Sequence, residues 1–103
     1  MKGIVIVRGP TKELPETKLR EEHNKLLEEL RGPGASLGNT GHRAYKNTAS
    51  PGELMVIDMW DSLEGAEKLM SDPELPQRLA RFFDGVPDVT VWAQTDWDGY
   101  DPN

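Results

Sequence analysis

The stretch Leu54-Met55-Val56-Ile57-Asp58-Met59-Trp60-Asp61-Ser62-Leu63-Glu64 changes character halfway along. From Leu54 to Trp60 every position except Asp58 is apolar. A strand with one wet face would alternate, so this run reads as a strand buried on both faces. Asp61-Ser62-Leu63-Glu64 then has the pattern of a helix N-terminus, with short oxygen-bearing side chains followed by a carboxylate. Ala66, Leu69 and Met70 supply that helix with one apolar face.

Working towards the N-terminus, Asn47 to Gly52 reads as a turn with Ser50-Pro51-Gly52 at its tip. His42 to Lys46 reads as a strand, so a hairpin precedes the run described above. Ala35 to Gly41 is small and polar and reads as a loop. Glu16 to Arg31 is rich in Glu, Lys, Leu and Arg, and Leu19, His23, Leu26, Leu27 and Leu30 fall on one helical face. Gly32-Pro33-Gly34 is expected to stop this helix. Its start lies either at a turn capped by Thr11 or at Pro15. Gly3-Ile4-Val5-Ile6-Val7 is a first strand, again without a polar face, closed by Gly9-Pro10.

Towards the C-terminus, Asp72-Pro73 breaks the second helix. Glu74 to Phe83 is expected to resume it, with Leu75, Leu79, Phe82 and Phe83 inward. Gly85-Val86-Pro87 ends that segment. Val89 to Gln94 is the last strand, and Thr95 to Asn103 is an acidic tail carrying Trp97 and Tyr100.

The resulting order, β-α-β-β-α-β, is the split βαβ plan of ferredoxin-like α+β domains: a four-stranded antiparallel sheet with both helices on one face. One domain spanning 1–103 is expected. The first and third strands lack a polar face, so the sheet face away from the helices also needs cover. A second copy stacked sheet to sheet supplies it, and a homodimer is expected. The alternative is that Trp97 and Tyr100 fold back over that face.

Composition narrows the function. The net charge of -6 argues against nucleic acid, whose phosphates require clustered Lys and Arg. The absence of cysteine removes disulfides, thiolate metal sites and a Cys nucleophile. With His23 and His42 as the only histidines, a three-His zinc site is excluded within one chain, and no metal is expected. No apolar run approaches the ~20 residues that cross a bilayer. The N-terminus leads directly into a strand pattern, so the cytoplasm is the expected location. No phosphate loop, dinucleotide fingerprint or nucleophilic triad is present.

From Leu54 through Met59-Trp60-Asp61-Ser62 to Ser71-Asp72-Pro73-Glu74-Leu75, the chain resembles the antibiotic-biosynthesis-monooxygenase type of dimeric α+β barrel. In that family a strand ends in Trp or Tyr, an acidic or Ser turn follows, and a Ser-Asp-Pro break interrupts the helical region. The resemblance implies a homodimer with a pocket between helices and sheet in each subunit. It also implies activities that include cofactor-free oxygenation, polyketide cyclisation and isomerisation, alongside members with no known activity. Its haem-degrading branch uses a His in the second helical region. Here that segment reads Leu75-Pro76-Gln77-Arg78-Leu79, which argues against haem, and no cofactor is expected. The Gly32–Gly41 segment lies outside the resemblance.

Several residues have the chemistry for such a pocket. His23, on the apolar face of the first helix, is a candidate general acid or base, with a hydrogen-bonded core residue as the plainer role. His42 shares a strand face with Ala44 and Lys46 and can meet His23 if that face looks towards the helices. Asp58, the only acid in an apolar strand, either orients a His, pairs with Arg43, or faces water. Trp60 and Trp92 are candidate flat walls for a small hydrophobic or aromatic ligand, or core and interface residues. Tyr45 and Asn39 are candidate hydrogen-bond donors to a ligand oxygen.

Overall fold

Alternation along the first strand decides which way the sheet faces. In this computed structural model, which describes residues 1–101, β1 (Gly3–Pro10) buries Val5 and Val7 and leaves Ile4 and Ile6 half-buried on the opposite side. After it come α1 (Glu16–Ser36), β2 (Asn39–Lys46), β3 (Glu53–Trp60), α2 (Leu63–Met70), α3 (Leu75–Leu79) and β4 (Asp88–Ala93). The strands form one antiparallel sheet in the order β2-β3-β1-β4. The central pair places Val5 opposite Asp58 and Val7 opposite Val56. Val5, Val7, Val56, Asp58 and Trp60 therefore share the helix-covered face. Ile4, Ile6, Met55, Ile57 and Met59 share the other, where each is half-buried.

The core on the helix side joins Val5, Val7 and Val56 to Leu26 of α1, Leu63 and Ala66 of α2, and Phe82 and Phe83. Phe82 and Phe83 are the deepest large side chains, at 1% and 0% exposure, so their burial contributes on the order of 2–3 kcal/mol each. The backbone holds them there: Lys12 N–H donates to the Phe82 carbonyl, and Thr11 bridges Phe83. Helical structure covers only Leu75–Leu79 of the expected Glu74–Phe83 segment. The two phenylalanines are fixed by that bridge to the end of β1 rather than by a helix.

The first helix runs past Gly32-Pro33-Gly34 to Ser36, contrary to the expected stop. Proline removes one donor but its fixed φ suits a helix, and the residue before it is a glycine with no Cβ to clash with the ring. Ser36 Oγ also donates to the Gly32 carbonyl at 3.2 Å across this turn. The chain reverses instead at Gly38, whose φ of 103° is in the left-handed region that favours glycine. The expected loop thus shrinks to a tight connection, and β2 already begins at Asn39.

Ser62 caps α2 by accepting from Gly65 N–H at 3.2 Å. Gly65 packs so closely on the α1–β2 connection that a Cβ there would lie 1.8 Å from the Leu37 carbonyl oxygen. At the other end of α1, Glu16 pairs with Lys46 of β2, and that hydrogen bond holds the Glu16 carboxyl below the usual carboxylate range. Trp97 and Tyr100 are 83% and 85% exposed, so the tail does not fold back over the open sheet face. Residues 102–103 of that tail lie outside the described residues. Among the described residues, no helix is long and apolar enough to cross a membrane.

Candidate active site

Helix α1 covers part of the inner sheet face through Leu26. Between it, α2, the α3 region and the inner sheet face lies a cavity of about 1020 Å³. Its walls are largely apolar, with Leu26, Leu27 and Leu30 from α1 and Leu69, Met70, Leu79 and Phe82 from the second helical region. Arg81 Nη1 donates to Glu29 at 2.9 Å and ties that region to α1 along one side. A space of this size and lining suits a drug-sized apolar molecule.

Three polar groups of the cavity converge from three elements, while Lys12, Arg31, Thr40 and Arg43 line it elsewhere. His23 comes from α1, His42 from β2, and Asp58 from β3 directly opposite His42 in the strand register. His42 Nδ1 donates to Asp58 Oδ1 at 2.7 Å. The other nitrogen of His42, Nε2, is 2.8 Å from His23 Nε2. His23 Nδ1 lies 2.9 Å from Asn24 Oδ1. The result is one chain, Asp58–His42–His23–Asn24, leading from the sheet to the exposed flank of α1. The two imidazoles are near-parallel, with centroids 5.0 Å apart and planes 28° apart, and the edge of Phe82 supports His23 at 5.7 Å. A proton must occupy the short contact between the two Nε2 atoms, because two facing lone pairs at that distance repel.

Trp60 follows Asp58 by two residues on the same strand face, so their Cα atoms are about 7 Å apart. It is 4% exposed and lines the cavity. Its indole Nε1–H is the only buried side-chain polar atom without a hydrogen-bond partner among the described residues. Such a donor costs roughly 1–3 kcal/mol while unpaired. The N–H is sealed from the cavity that other atoms of Trp60 line.

The remaining candidates sit differently. Asn39 lines the cavity, but its amide nitrogen donates to the Gly41 and Met59 carbonyls at 3.2 and 3.1 Å. Its donors are spent on the irregularity in β2 between Asn39 and Gly41, so it does not serve a ligand oxyanion as a donor. Tyr45 and Trp92 are on the open sheet face, opposite Met55 and Ile4 respectively, 49% and 56% exposed. Neither lines the cavity. Trp92 Nε1 donates to Thr90 Oγ1 at 2.8 Å. Arg43 is also not the partner of Asp58; it donates to the His42 carbonyl from an exposed position. Among the described residues, no group of three or more His, Cys, Asp or Glu is arranged to hold a metal ion.

Asn24 as a site feature and the unpaired Trp60 donor were not legible. Asn24 follows His23 directly in sequence, and that adjacency was the available signal. Nothing in the sequence marks an indole as unpaired.

The chain is an α+β protein with a ferredoxin-like fold. That assignment of fold rests on solved structures, since neither a family model nor a curated protein matches the sequence. It is similar to a structure of an antibiotic biosynthesis monooxygenase, with a TM-score of 0.64 and 13% identity over 90% of this chain and 98% of that one. It is similar to SnoaB, a cofactor-independent oxygenase from Streptomyces nogalater, with a TM-score of 0.63 and 9% identity over 93% and 95% of the two chains. A dimeric ferredoxin-like protein from an uncultured marine organism superposes with a TM-score of 0.63 and 13% identity, over 97% and 93%. At these identities the likeness is one of fold, and a shared fold does not select a chemistry.

Proposed function

We propose that this protein is a small-molecule enzyme, a cofactor-independent monooxygenase acting on a phenolic or polyketide-like aromatic compound. The observation that carries this reading is the Asp58–His42–His23 chain set into the wall of a large apolar cavity. An acid–base group in a water-poor cavity is what carbanion chemistry with oxygen requires. The site removes a proton from an activated methylene of the bound ring system. The carbanion reduces oxygen and forms a C–O bond, giving a peroxide. Loss of the second carbon-bound hydrogen as a proton breaks the O–O bond and releases water. In balance, CH2 and O2 give C=O and H2O, and the protons return through the same histidines. The apolar walls orient the rings. The cofactor-independent oxygenase among the proteins of this fold supports the reading.

The functional unit in this reading is a homodimer. Ile4, Ile6, Met55, Ile57 and Met59 form a contiguous apolar face left half-exposed in one chain, and Tyr45 and Trp92 extend it. An apolar face of that extent marks an interaction surface. A dimeric protein of the same fold supports a second copy as its occupant.

An oxygen electrode tests the activity, with hydroxylated anthrones as the probe set. The expected result is oxygen uptake by the wild type that falls at least about 100-fold in His42→Ala, in the range general acid–base groups contribute. Turnover that persists under argon would make the protein a cyclase or isomerase using the same groups. Binding without turnover would make it a ligand-binding dimer.

A further inference from the structure

We infer that the cavity takes an organic anion, with an apolar ring body seated among its leucines and a carboxylate held at its rim by an unpaired cation, Lys12 at one end or Arg31 at the other. The inference rests on the reading of this cavity as a substrate site and names the class of substrate that the site takes.

The charges around the cavity run against those of the chain. The sequence as a whole has a net charge of -6. The cavity is lined by three cations, Lys12, Arg31 and Arg43, and by one carboxylate, Asp58, which is already bonded to His42 Nδ1. Among the described residues no Glu lines it. Of the nine other basic side chains, seven pair with a carboxylate. Arg78 and Arg81, close to the cavity, are both on Glu29. None of the three cations that line the cavity has such a partner among the described residues. Arg43 gives one guanidinium nitrogen to the His42 carbonyl at 2.7 Å. The side chains of Lys12 and Arg31 make no hydrogen bond or ion pair there at all. Three cations against one carboxylate leave the cavity positive in a negative molecule, a field that draws an anion to it.

The two free cations are at opposite ends. Lys12 lies just past the end of β1, where Pro10 pairs with Glu53, and its N–H is on the Phe82 carbonyl. Arg31 is near the end of α1, which turns at Gly38; the Gly38 carbonyl accepts from Asp61 N–H at the Trp60 end of β3. Both residues are exposed, so their charges stay hydrated, and a carboxylate that meets either one keeps part of its own water. Between them the walls are Leu26, Leu27, Leu30 and Leu79. A carboxylate carried in among those leucines would lose its hydration and gain no partner. The arrangement therefore fits an amphipathic anion, with its rings inside and its charge at the rim.

Equilibrium binding of 1-naphthoate and 1-naphthalenemethanol at neutral pH tests this, since the two share a ring system and differ in charge. In dilute buffer the wild type is expected to bind naphthoate at least about tenfold tighter, and the gap is expected to close in about 1 M salt, where the Debye length falls to about 3 Å. Lys12→Met and Arg31→Met keep an apolar stem and remove the charge. At least one of them is expected to weaken naphthoate binding about fivefold and to leave the alcohol within about twofold. Equal or tighter binding of the alcohol by the wild type, or naphthoate affinity unmoved in the double variant, would overturn the inference and leave the cavity reading standing. Failure of both compounds to bind at millimolar concentration would overturn the two together. The salt dependence of the wild type decides the matter if a variant does not fold.

Discussion

His23 and His42 meet across the two layers of the fold: the Nε2 of a helix residue is 2.8 Å from the Nε2 of a strand residue. Both residues line the cavity between α1 and the inner sheet face. The contact therefore serves both architecture and chemistry, and these two roles separate by measurement.

Replacing His42 with Ala removes the link between Asp58 and His23. Asp58 loses its only hydrogen-bond partner among the described residues and stays partly buried, which predicts a stability loss of about 1–3 kcal/mol in denaturant unfolding. His23→Ala leaves the His42–Asp58 bond in place and is expected to cost less than His42→Ala. Equal losses would mean that the two rings are merely packing residues.

Trp60→Phe tests what the sealed indole N–H costs the fold. Phenylalanine keeps most of the apolar surface and deletes the unpaired indole N–H. Stability is expected to stay within about 1 kcal/mol of wild type, because relief of the unpaired donor offsets the smaller ring. A loss above about 2 kcal/mol would mean that packing of the larger ring outweighs the unpaired donor.

The open sheet face carries its own prediction. Ile57 is at its centre, beside Ile6 on β1 and Arg43 on β2. Ile57→Lys is expected to weaken self-association at least about 100-fold, close to 3 kcal/mol, without loss of helix or sheet signal. Sedimentation velocity at micromolar concentration reads this directly. A wild-type chain that sediments as a monomer there would contradict the dimer.

Gly65→Ala probes the close approach of α2 to the α1–β2 connection. The Leu37 carbonyl is backbone and cannot rotate away from a Cβ placed 1.8 Å from it, so the helix must shift. A melting temperature lower by 10 °C or more is expected, on the order of 2 kcal/mol or above for a chain of this size. Ser62→Ala, which removes only the cap bond, is expected to cost about 1 kcal/mol.

Much of this fold was legible because its signals are local. The uninterrupted apolar run from Leu54 to Trp60, the Ser62 cap and the leucine stripe of α1 each depend on neighbours a few residues away. The pairing of His42 with Asp58 was nearly legible too. Every β2–β3 pair from His42–Asp58 to Lys46–Leu54 is symmetric about Ser50, the residue at the turn tip, so the turn sets the register. Where reading from sequence failed, most of the deciding contacts are distant. Whether Asn39 has a free amide depends on the Met59 carbonyl across the hairpin, whereas α1 continues through Pro33 because a glycine precedes it, a local feature whose weight the sequence does not show. Tyr45 and Trp92 have the right chemistry, but they are on the opposite side of the sheet from the cavity.

The most direct test of the account is a 15N-resolved spectrum of the two histidine rings at neutral pH. The account predicts that His42 Nδ1 is protonated, and that a 15N–15N coupling crosses the hydrogen bond between the two Nε2 atoms. It also predicts that the coupling vanishes in His23→Ala. Two rings that exchange independently with solvent, with no coupling between them, would contradict it.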